Sequence, residues 1–197
     1  MYVGTSVLDL SKLCMMEFHY NVIHKEFEGK YNLLYSDTDS LIYDIRDKDI
    51  YQWIGNNKEH FDLSDSLRPE LKDNKNKKVI GKFKDEMNSL IIKEAVFENP
   101  KVYSIIHQEM EDDVIDENHN TKKAKGVSKV VLKKEITHKD FVDVLETGKS
   151  ISKDVISIRS FDHQLYTVKQ KKVVLTSWYD KMNMISNVDC EPFGYKK

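Results

Sequence analysis

Two short apolar runs, Tyr31–Tyr35 and Ser40–Ile45, are separated only by the polar stretch Ser36–Asp39. Runs of this length on either side of a few turn-forming residues are typical of an antiparallel β-hairpin, here with an acidic tip. Before the hairpin, the stretch Ser6–Phe27 has apolar residues at three- and four-residue spacings and lacks proline and glycine, which predicts a helix. This order predicts an α+β fold in which the helix packs on a mainly antiparallel sheet.

Later segments continue the same pattern. Three strand-like runs are expected to extend the sheet of the hairpin: Val79–Phe83, Ile91–Phe97 and Val102–Ile106. Thr137 is a suitable N-cap for a helix that runs to Glu146 and stops at Gly148, because a threonine hydroxyl caps free N–H groups and glycine adopts the left-handed conformation. Two more strands are predicted at Val155–Ile158 and Leu165–Leu175.

The composition is that of a globular chain with an uneven charge distribution. Of the 197 residues 40% are hydrophobic, and there are only 7 Gly and 3 Pro, so we expect one packed unit without long flexible linkers. The net charge of −2 conceals seven lysines between Thr121 and Lys139 that are opposed only by Glu135. Cys14 and Cys190 are the only cysteines, which favours reduced thiols in an intracellular compartment. No apolar run approaches the roughly 20 residues of a membrane helix, so a soluble protein is expected.

The acidic tip places two carboxylates two residues apart. In extended backbone, residues i and i+2 project to the same side, so Asp37 and Asp39 can point at one place while Thr38 points away. Two adjacent carboxylates repel each other, which raises the pKa of at least one of them unless a cation neutralises the pair. Mg²⁺ or Mn²⁺ would do so directly, because hard divalent ions prefer oxygen ligands. The string therefore predicts a metal site, although Asp and Ser also favour ordinary solvated turns.

The complete string at Tyr35–Ser40, Tyr-Ser-Asp-Thr-Asp-Ser, resembles motif C of family B DNA polymerases, where such a hairpin lies in the palm. The resemblance implies that Asp39 is the direct ligand of the catalytic metal and that Asp37 supports the site, which makes both of them the predicted catalytic carboxylates. The same resemblance gives three supporting residues: Tyr35, Thr38 and Ser40. It is nearest to the protein-primed branch found in viruses and self-synthesising transposons.

Two further segments carry this resemblance. The run Ile80–Glu86 is similar to a palm strand of the protein-primed branch, with Phe83 at its aromatic position. Lys101-Val102-Tyr103 resembles the Lys-x-Tyr motif of that branch, in which Lys101 and Tyr103 would hold the region of the primer terminus. On a strand both side chains face one way, so a charge for phosphate would lie beside a ring for sugar or base.

The lysine-rich stretch from Lys122 to Thr137 resembles the palm-to-thumb passage of protein-primed polymerases. Gly126 would permit close approach of the backbone to DNA, and Lys123 and Lys125 would neutralise phosphates without reading bases. By this resemblance, residues 1–121 are the C-terminal part of the palm with the motif C hairpin at 31–45. Residues 122–178 are then a thumb-like subdomain, and residues 179–197 are a C-terminal tail.

The resemblance implies template-directed nucleotidyl transfer to a primer 3′ end with Mg²⁺ or Mn²⁺ as cofactor. The implied partners are primer–template DNA, a deoxynucleoside triphosphate and, in the protein-primed branch, a terminal protein, with no membrane; the nucleus or a viral replication site is the expected location. Neither a motif A string, nor a fingers motif, nor an exonuclease domain occurs in the 197 residues. Because two-metal transfer requires carboxylates from both palm motifs, we expect no incorporation by the isolated chain.

Three alternatives remain open. A haloacid-dehalogenase-type phosphatase would use Asp37 as nucleophile and Asp39 as general acid, but such a pair normally opens a doubly wound α/β domain. A nucleotide-sugar transferase with an Asp-x-Asp metal site would leave the lysine segment without a role. In a different class, the chain would be a non-catalytic DNA-binding module derived from a polymerase, which retains the DNA-binding surface without the reaction.

Overall fold

The computed structural model describes residues 2–47, 49–107, 120–178, 182–186, 189–192 and 194. The fold is α+β, as predicted, and the paired strands are antiparallel with the exception of one short parallel pair. The described residues form two compact units, one up to Ile91 and one from Ile92. This differs from the single packed unit expected from composition, because each unit encloses an apolar core of its own.

The first unit contains the predicted helix and hairpin. Its helical segment consists of α1 (Tyr2–Glu17), a π-helical turn (Phe18–Ile23) and α2 (His24–Glu26). The hairpin consists of β1 (Tyr31–Asp37) and β2 (Ser40–Ile45). The unit continues with α3 (Ile50–Asn56), a 3₁₀ turn (Lys58–His60), β3 (Phe61–Asp62) and β4 (Phe83–Lys84).

In the described part of the chain the hairpin is a two-stranded sheet, and the later strands do not extend it. The run Val79–Phe83 contributes only its last residue to a strand, the two-residue β4, which pairs in parallel with β3. Lys78 and Gly81 have positive φ angles of 57° and 81°, and a chain with such angles cannot continue as an extended strand. The prediction of one continuous sheet is therefore wrong.

Only the C-terminal part of the helical segment packs against the core of this unit. Phe18 is buried and stacks on Phe83 with 4.0 Å between ring centroids. By contrast α1 has no buried residue, so the predicted packing of the helix on a sheet is confined to the end of the segment. The apolar residues of α1 are distributed around its circumference instead of forming one stripe, which leaves no single face to bury. The core of the unit consists of Phe18, Ile23, Phe27, Ile54, Phe61 and Leu63.

The second unit combines a three-stranded antiparallel sheet, two helices and two hairpins. The sheet has the order β5 (Ile92–Asn99), β6 (Val102–His107) and β7 (Asn120–Ala124). The helices are α4 (Lys129–Glu135) and α5 (His138–Thr147). A long hairpin consists of β8 (Ile151–Phe161) and β9 (Gln164–Leu175), and a short one of β10 (Met182–Met184) and β11 (Cys190–Pro192).

Helix α5 begins and ends where the sequence predicts. The Thr137 hydroxyl accepts the backbone N–H of Asp140, and the Asp140 side chain accepts the backbone N–H of Thr137, which forms a capping box. Gly148 ends the helix with a φ of 68°. The core that the helix covers consists of Val96, Ala124, Val131, Leu132, Ile136, Phe141, Val144, Val155, Val174 and Leu175.

The division between the two units precedes β5, whereas the boundary predicted from the resemblance separates residues 121 and 122. That position lies inside β7, which pairs with β6 along its whole length. Parts of the predicted tail, residues 179–181, 187, 188, 193 and 195–197, lie outside the described residues. In the described part of the chain no helix has the length and apolarity needed to cross a membrane.

Candidate functional site

The acidic string forms a tight hairpin turn in the first unit. Asp37 is the last residue of β1 and pairs with Ser40, so only Thr38 and Asp39 connect the strands. The backbone N–H of Asp39 donates to the carbonyl of Asp37 at 2.6 Å, and Thr38 has a φ of 53°, which together describe a three-residue γ-turn. A positive φ is unfavourable for a β-branched residue, so the backbone is strained at this tip.

Two hydroxyl groups form hydrogen bonds with Asp37 at the C-terminal end of β1. The Thr38 hydroxyl donates to the Asp37 carboxylate at 3.0 Å, and the Ser40 hydroxyl donates to the Asp37 carbonyl at 3.0 Å. Asp39 is exposed, whereas Asp37 is half-buried. Two of the three supporting residues of the motif, Thr38 and Ser40, therefore orient Asp37 and its backbone, and Asp39 faces solvent.

The hairpin register places Asp37 away from the core. Leu41 and Tyr43 pack against the core of the unit, so the alternate residues of β2 project to the other face. Tyr35 and Asp37 are each paired with a β2 residue that projects to that other face. Because directly opposite residues point to the same side of a sheet, Tyr35 and Asp37 also lie on that face. Leu34 is the extra residue of a bulge that sets this register.

The turn, and not strand alternation, brings the two carboxylates of Asp37 and Asp39 together. Strand alternation was expected to align Asp37 with Asp39, but Asp39 lies in the turn and not in extended backbone. The two carboxylates instead flank the single residue Thr38 at the tip. Two carboxylates at an exposed tip suit weak binding of Mg²⁺ or Mn²⁺, with water or phosphate oxygens completing the coordination. Among the described residues no group of three or more His, Cys, Asp or Glu side chains could hold a metal ion.

The carboxylates of a second group, near β3 and β4, are engaged in hydrogen bonds and an ion pair that stabilise the fold. The backbone N–H of Lys78 donates to Asp62 at 2.9 Å and is the main cause that lowers the pKa of that carboxyl. Asp65 forms an ion pair with Lys84. Asp85, the acid of the predicted palm-strand run, accepts two backbone N–H groups of the turn that follows it, at 2.9 and 2.7 Å. These carboxylates stabilise turns and offer no open ligand set.

The Lys-x-Tyr segment lies in the second unit. Lys101 has a φ of 64° and occupies the two-residue turn between β5 and β6, after Pro100. This is the arrangement of a type II turn, with proline at the first central position and a positive φ at the second. Tyr103 lies on β6, so strand alternation does not relate it to Lys101, and the expectation that both project from one strand face is wrong.

Tyr103 belongs to a row of side chains across the three-stranded sheet. It pairs with Phe97 on β5, at 6.0 Å between ring centroids, and with Lys123 on β7. The Lys123 ammonium lies 5.6 Å from the centre of the Tyr103 ring, within the range of a cation–π interaction. The structure therefore brings together two of the predicted DNA-binding residues, Tyr103 and Lys123.

The two lysines that open the basic segment have different surroundings. Lys122 is half-buried, and its ammonium donates to the backbone carbonyl of Ile136. Lys123 is exposed, as is Lys125 in the turn that follows β7. The alternation of β7 therefore assigns Lys122 to the helix-covered face and Lys123 to the opposite one.

Gly126 is required by the turn that it occupies. The backbone N–H of Val127 donates to the carbonyl of Ala124 at 3.1 Å, and Gly126 has a φ of 76°, so Lys125 and Gly126 are the central residues of a type II turn. The ammonium of Lys172 on β9 donates to the Gly126 carbonyl at 2.8 Å. Sequence reasoning missed Lys172, because nothing in the local pattern of β9 relates it to Gly126.

One triad of polar side chains, in which Ser104 and His138 are buried and Glu94 is exposed, was not predicted and is structural. The Ser104 hydroxyl lies 2.8 Å from Nδ1 of His138, and Nε2 of His138 lies 3.3 Å from a carboxylate oxygen of Glu94. The order of groups is that of a hydrolase, but Ser104 has 0% exposure, and a nucleophile must be reached by its substrate. These residues join β5, β6 and α5 instead.

Comparison with known proteins identifies no relative of this chain. No family model matches the chain, and neither a curated protein nor a solved structure shows significant similarity to it.

Proposed function

We propose that the chain is part of the palm and thumb of a family B DNA polymerase, in which the hairpin supplies one carboxylate side of a two-metal nucleotidyl-transfer site. The observation that carries this proposal is the conformation of Tyr35–Ser40: the string that resembles motif C forms an antiparallel hairpin with its acidic residues at the tip. A hairpin of this kind is what the resemblance implies for the palm.

The chemistry at the tip follows from the two carboxylates. When bound, Mg²⁺ would neutralise the charge that develops on the phosphoryl oxygens during transfer. Asp39 is the better direct ligand because it is exposed, whereas the Asp37 carboxylate already accepts the Thr38 hydroxyl. The other carboxylate side would come from motif A, which these 197 residues lack, so the isolated chain would bind metal weakly and not incorporate nucleotides.

The second unit would bind the nucleic-acid backbone. Lys123 and Lys125 are exposed, and lysine ammonium groups bind phosphate as point charges without the planar donor fork suited to base edges. Tyr103 adds a ring beside Lys123 for contact with sugar or base. Affinity for DNA would therefore be independent of sequence and would fall with salt by about 0.9 log units per log unit of salt for each phosphate neutralised.

One experiment tests the metal site in the chain itself. Paramagnetic broadening by Mn²⁺ should affect the amide signals around Asp37 and Asp39 first, and Asp39→Asn should remove that effect. Asp143→Asn, which changes an exposed carboxylate of α5, is the matched control and should leave it unchanged. Broadening that spares the hairpin and affects other acidic positions would contradict the assignment.

A second experiment tests the reaction. With motif A and the fingers supplied from a related polymerase, primer extension should be abolished by Asp39→Asn while the affinity for primer–template changes by less than about twofold, because the lost group is a metal ligand and not a DNA contact. Full extension by the Asp39→Asn protein would refute the polymerase proposal. Retained DNA binding without any extension in the unmodified fusion would favour the non-catalytic DNA-binding module.

The hairpin also bears on the phosphatase alternative. In that class the acidic pair follows a strand of a parallel, doubly wound sheet. Here the strand that ends at Asp37 pairs only with the antiparallel β2 among the described residues. The geometry therefore favours the polymerase proposal over the phosphatase.

A further inference from the structure

The long hairpin of the second unit places two lysines directly opposite each other. Lys153 on β8 and Lys172 on β9 are register partners, so their side chains project to the same face. Both are half-buried, and in the described part of the chain neither forms an ion pair with a carboxylate. Like charges directly opposite on neighbouring strands are destabilising, which makes an anion the favourable partner for this pair.

The same face meets the turn that contains the predicted DNA-binding residues. The Lys172 ammonium donates to the Gly126 carbonyl at 2.8 Å, across a separation of 46 residues in sequence. A Cβ at position 126 would lie 2.9 Å from that ammonium, which the flexible Lys172 side chain could accommodate by a small shift, so the positive φ is what requires glycine here. Lys125, the other central residue of the turn, is exposed beside it.

We propose that Lys172 and Lys153, together with the Lys125–Gly126 turn, form a binding site for a phosphate of the nucleic-acid backbone. An ammonium group has three donors, and Lys172 uses one of them for Gly126, which fixes its position and leaves charge for a phosphate oxygen. The site rests on the proposed DNA-binding function and adds two residues to it that lie outside the lysine-rich segment. It recognises phosphate and carries no base specificity.

The neighbouring lysine of the same strand supplies a matched control. Lys171 is exposed and projects to the opposite face of the hairpin, where its register partner is the acidic Asp154. Exchange of Lys171 for glutamine therefore removes the same charge from the same strand without changing the proposed site.

The test measures binding of a fluorescein-labelled primer–template duplex to the full chain by anisotropy, at salt concentrations from about 50 to 200 mM. Lys172→Gln and Lys153→Gln should each weaken binding several-fold at low salt and reduce the log–log salt slope by about 0.9. Lys171→Gln should leave the slope unchanged, and Lys172→Arg, which keeps the charge, should retain most of it. A purely structural role of Lys172 would lower the thermal stability of Lys172→Gln without changing the slope.

Lys123→Gln and Lys125→Gln separate this inference from the proposed function. If these two variants reduce the slope while Lys172→Gln and Lys153→Gln do not, the phosphate site is refuted and the DNA-binding proposal stands. If none of the four variants changes binding, or if the chain does not bind DNA, the proposed function fails and the phosphate site fails with it. An effect of Lys171→Gln equal to that of Lys172→Gln would also refute the site, since it would show only a general charge effect.

Discussion

Replacement of Glu98 by glutamine should remove a pH-dependent loss of stability from the second unit. Glu98 is the extra residue of a bulge between Phe97 and Asn99 on β5. Both of its carboxylate oxygens are buried, and neither has a hydrogen-bond partner among the described residues. Burial raises the pKa of this carboxyl to about 7, and the nearby backbone N–H of Thr176 offsets only part of that effect.

The sign and size of the effect follow from proton linkage. The unfolded chain loses the Glu98 proton near pH 4.5, whereas the folded chain keeps it until about pH 7. Between these values the folded state binds more protons, so the free energy of unfolding falls as the pH rises and then stays constant above pH 7. The full difference between the folded and unfolded pKa values corresponds to about 3 kcal/mol of the free energy of unfolding. Solvent screening of this half-buried side chain reduces that contribution to about 1–2 kcal/mol.

Urea denaturation followed by the NMR signals of Phe141 and Val144 measures this effect. Both residues are buried in the second unit, so their signals report on the unfolding of that unit. Between about pH 5 and about pH 8 the free energy of unfolding of the second unit should fall by about 1–2 kcal/mol more in the parent than in Glu98→Gln. Glu146→Gln, at an exposed position of α5, is the control and should keep the parental pH dependence. Equal pH dependence of the parent and Glu98→Gln would refute the reasoning.

Two further predictions concern the turn of the Lys-x-Tyr segment and the cap of α5. Lys101→Asn retains a residue that tolerates positive φ but removes the charge, so it should reduce the salt slope of DNA binding by about 0.9 without lowering thermal stability; an unchanged slope would exclude Lys101 as a phosphate contact. Thr137→Ala removes the capping hydroxyl and should lower the free energy of unfolding of the second unit by about 1 kcal/mol in urea, while Thr137→Ser should restore most of it. Equal stability of the alanine and parent proteins would mean that the capping box contributes nothing.

The elements that the sequence predicts correctly depend on local chemistry. The hairpin at 31–45 follows from two apolar runs across a short polar stretch, and α5 follows from Thr137 and Gly148 at its ends. In each case the residues that determine the element lie within it or directly beside it in the sequence. The acidic tip is predictable for the same reason, because Asp37 and Asp39 lie in the turn that their own segment forms.

The predictions that failed concern packing and exact conformation. Helix α1 has a helical sequence pattern, but burial requires a stripe of apolar residues and a surface to receive it, and its pattern provides no single stripe. Lys101 and Tyr103 have the spacing of strand neighbours, yet Pro100 begins a turn that removes Lys101 from the strand. A two-residue spacing in the sequence implies a shared face only where the backbone is extended at both residues.

The pairing of Lys172 with Gly126 shows why the basic surface could be predicted only in part. Gly126 can be recognised in the sequence as a residue that permits close approach, but the sequence does not say which group approaches it. The register of β8 with β9 decides which lysines share the face that meets the turn, because a one-residue slip of β8 would turn Lys153 to the opposite face, away from Lys172. Buried Val155, which shares the face of Lys153, opposes such a shift, since its burial would be lost. The apolar core thus determines which lysines face the turn, and a variant such as Val155→Thr that weakens this register should weaken DNA binding without removing any charge.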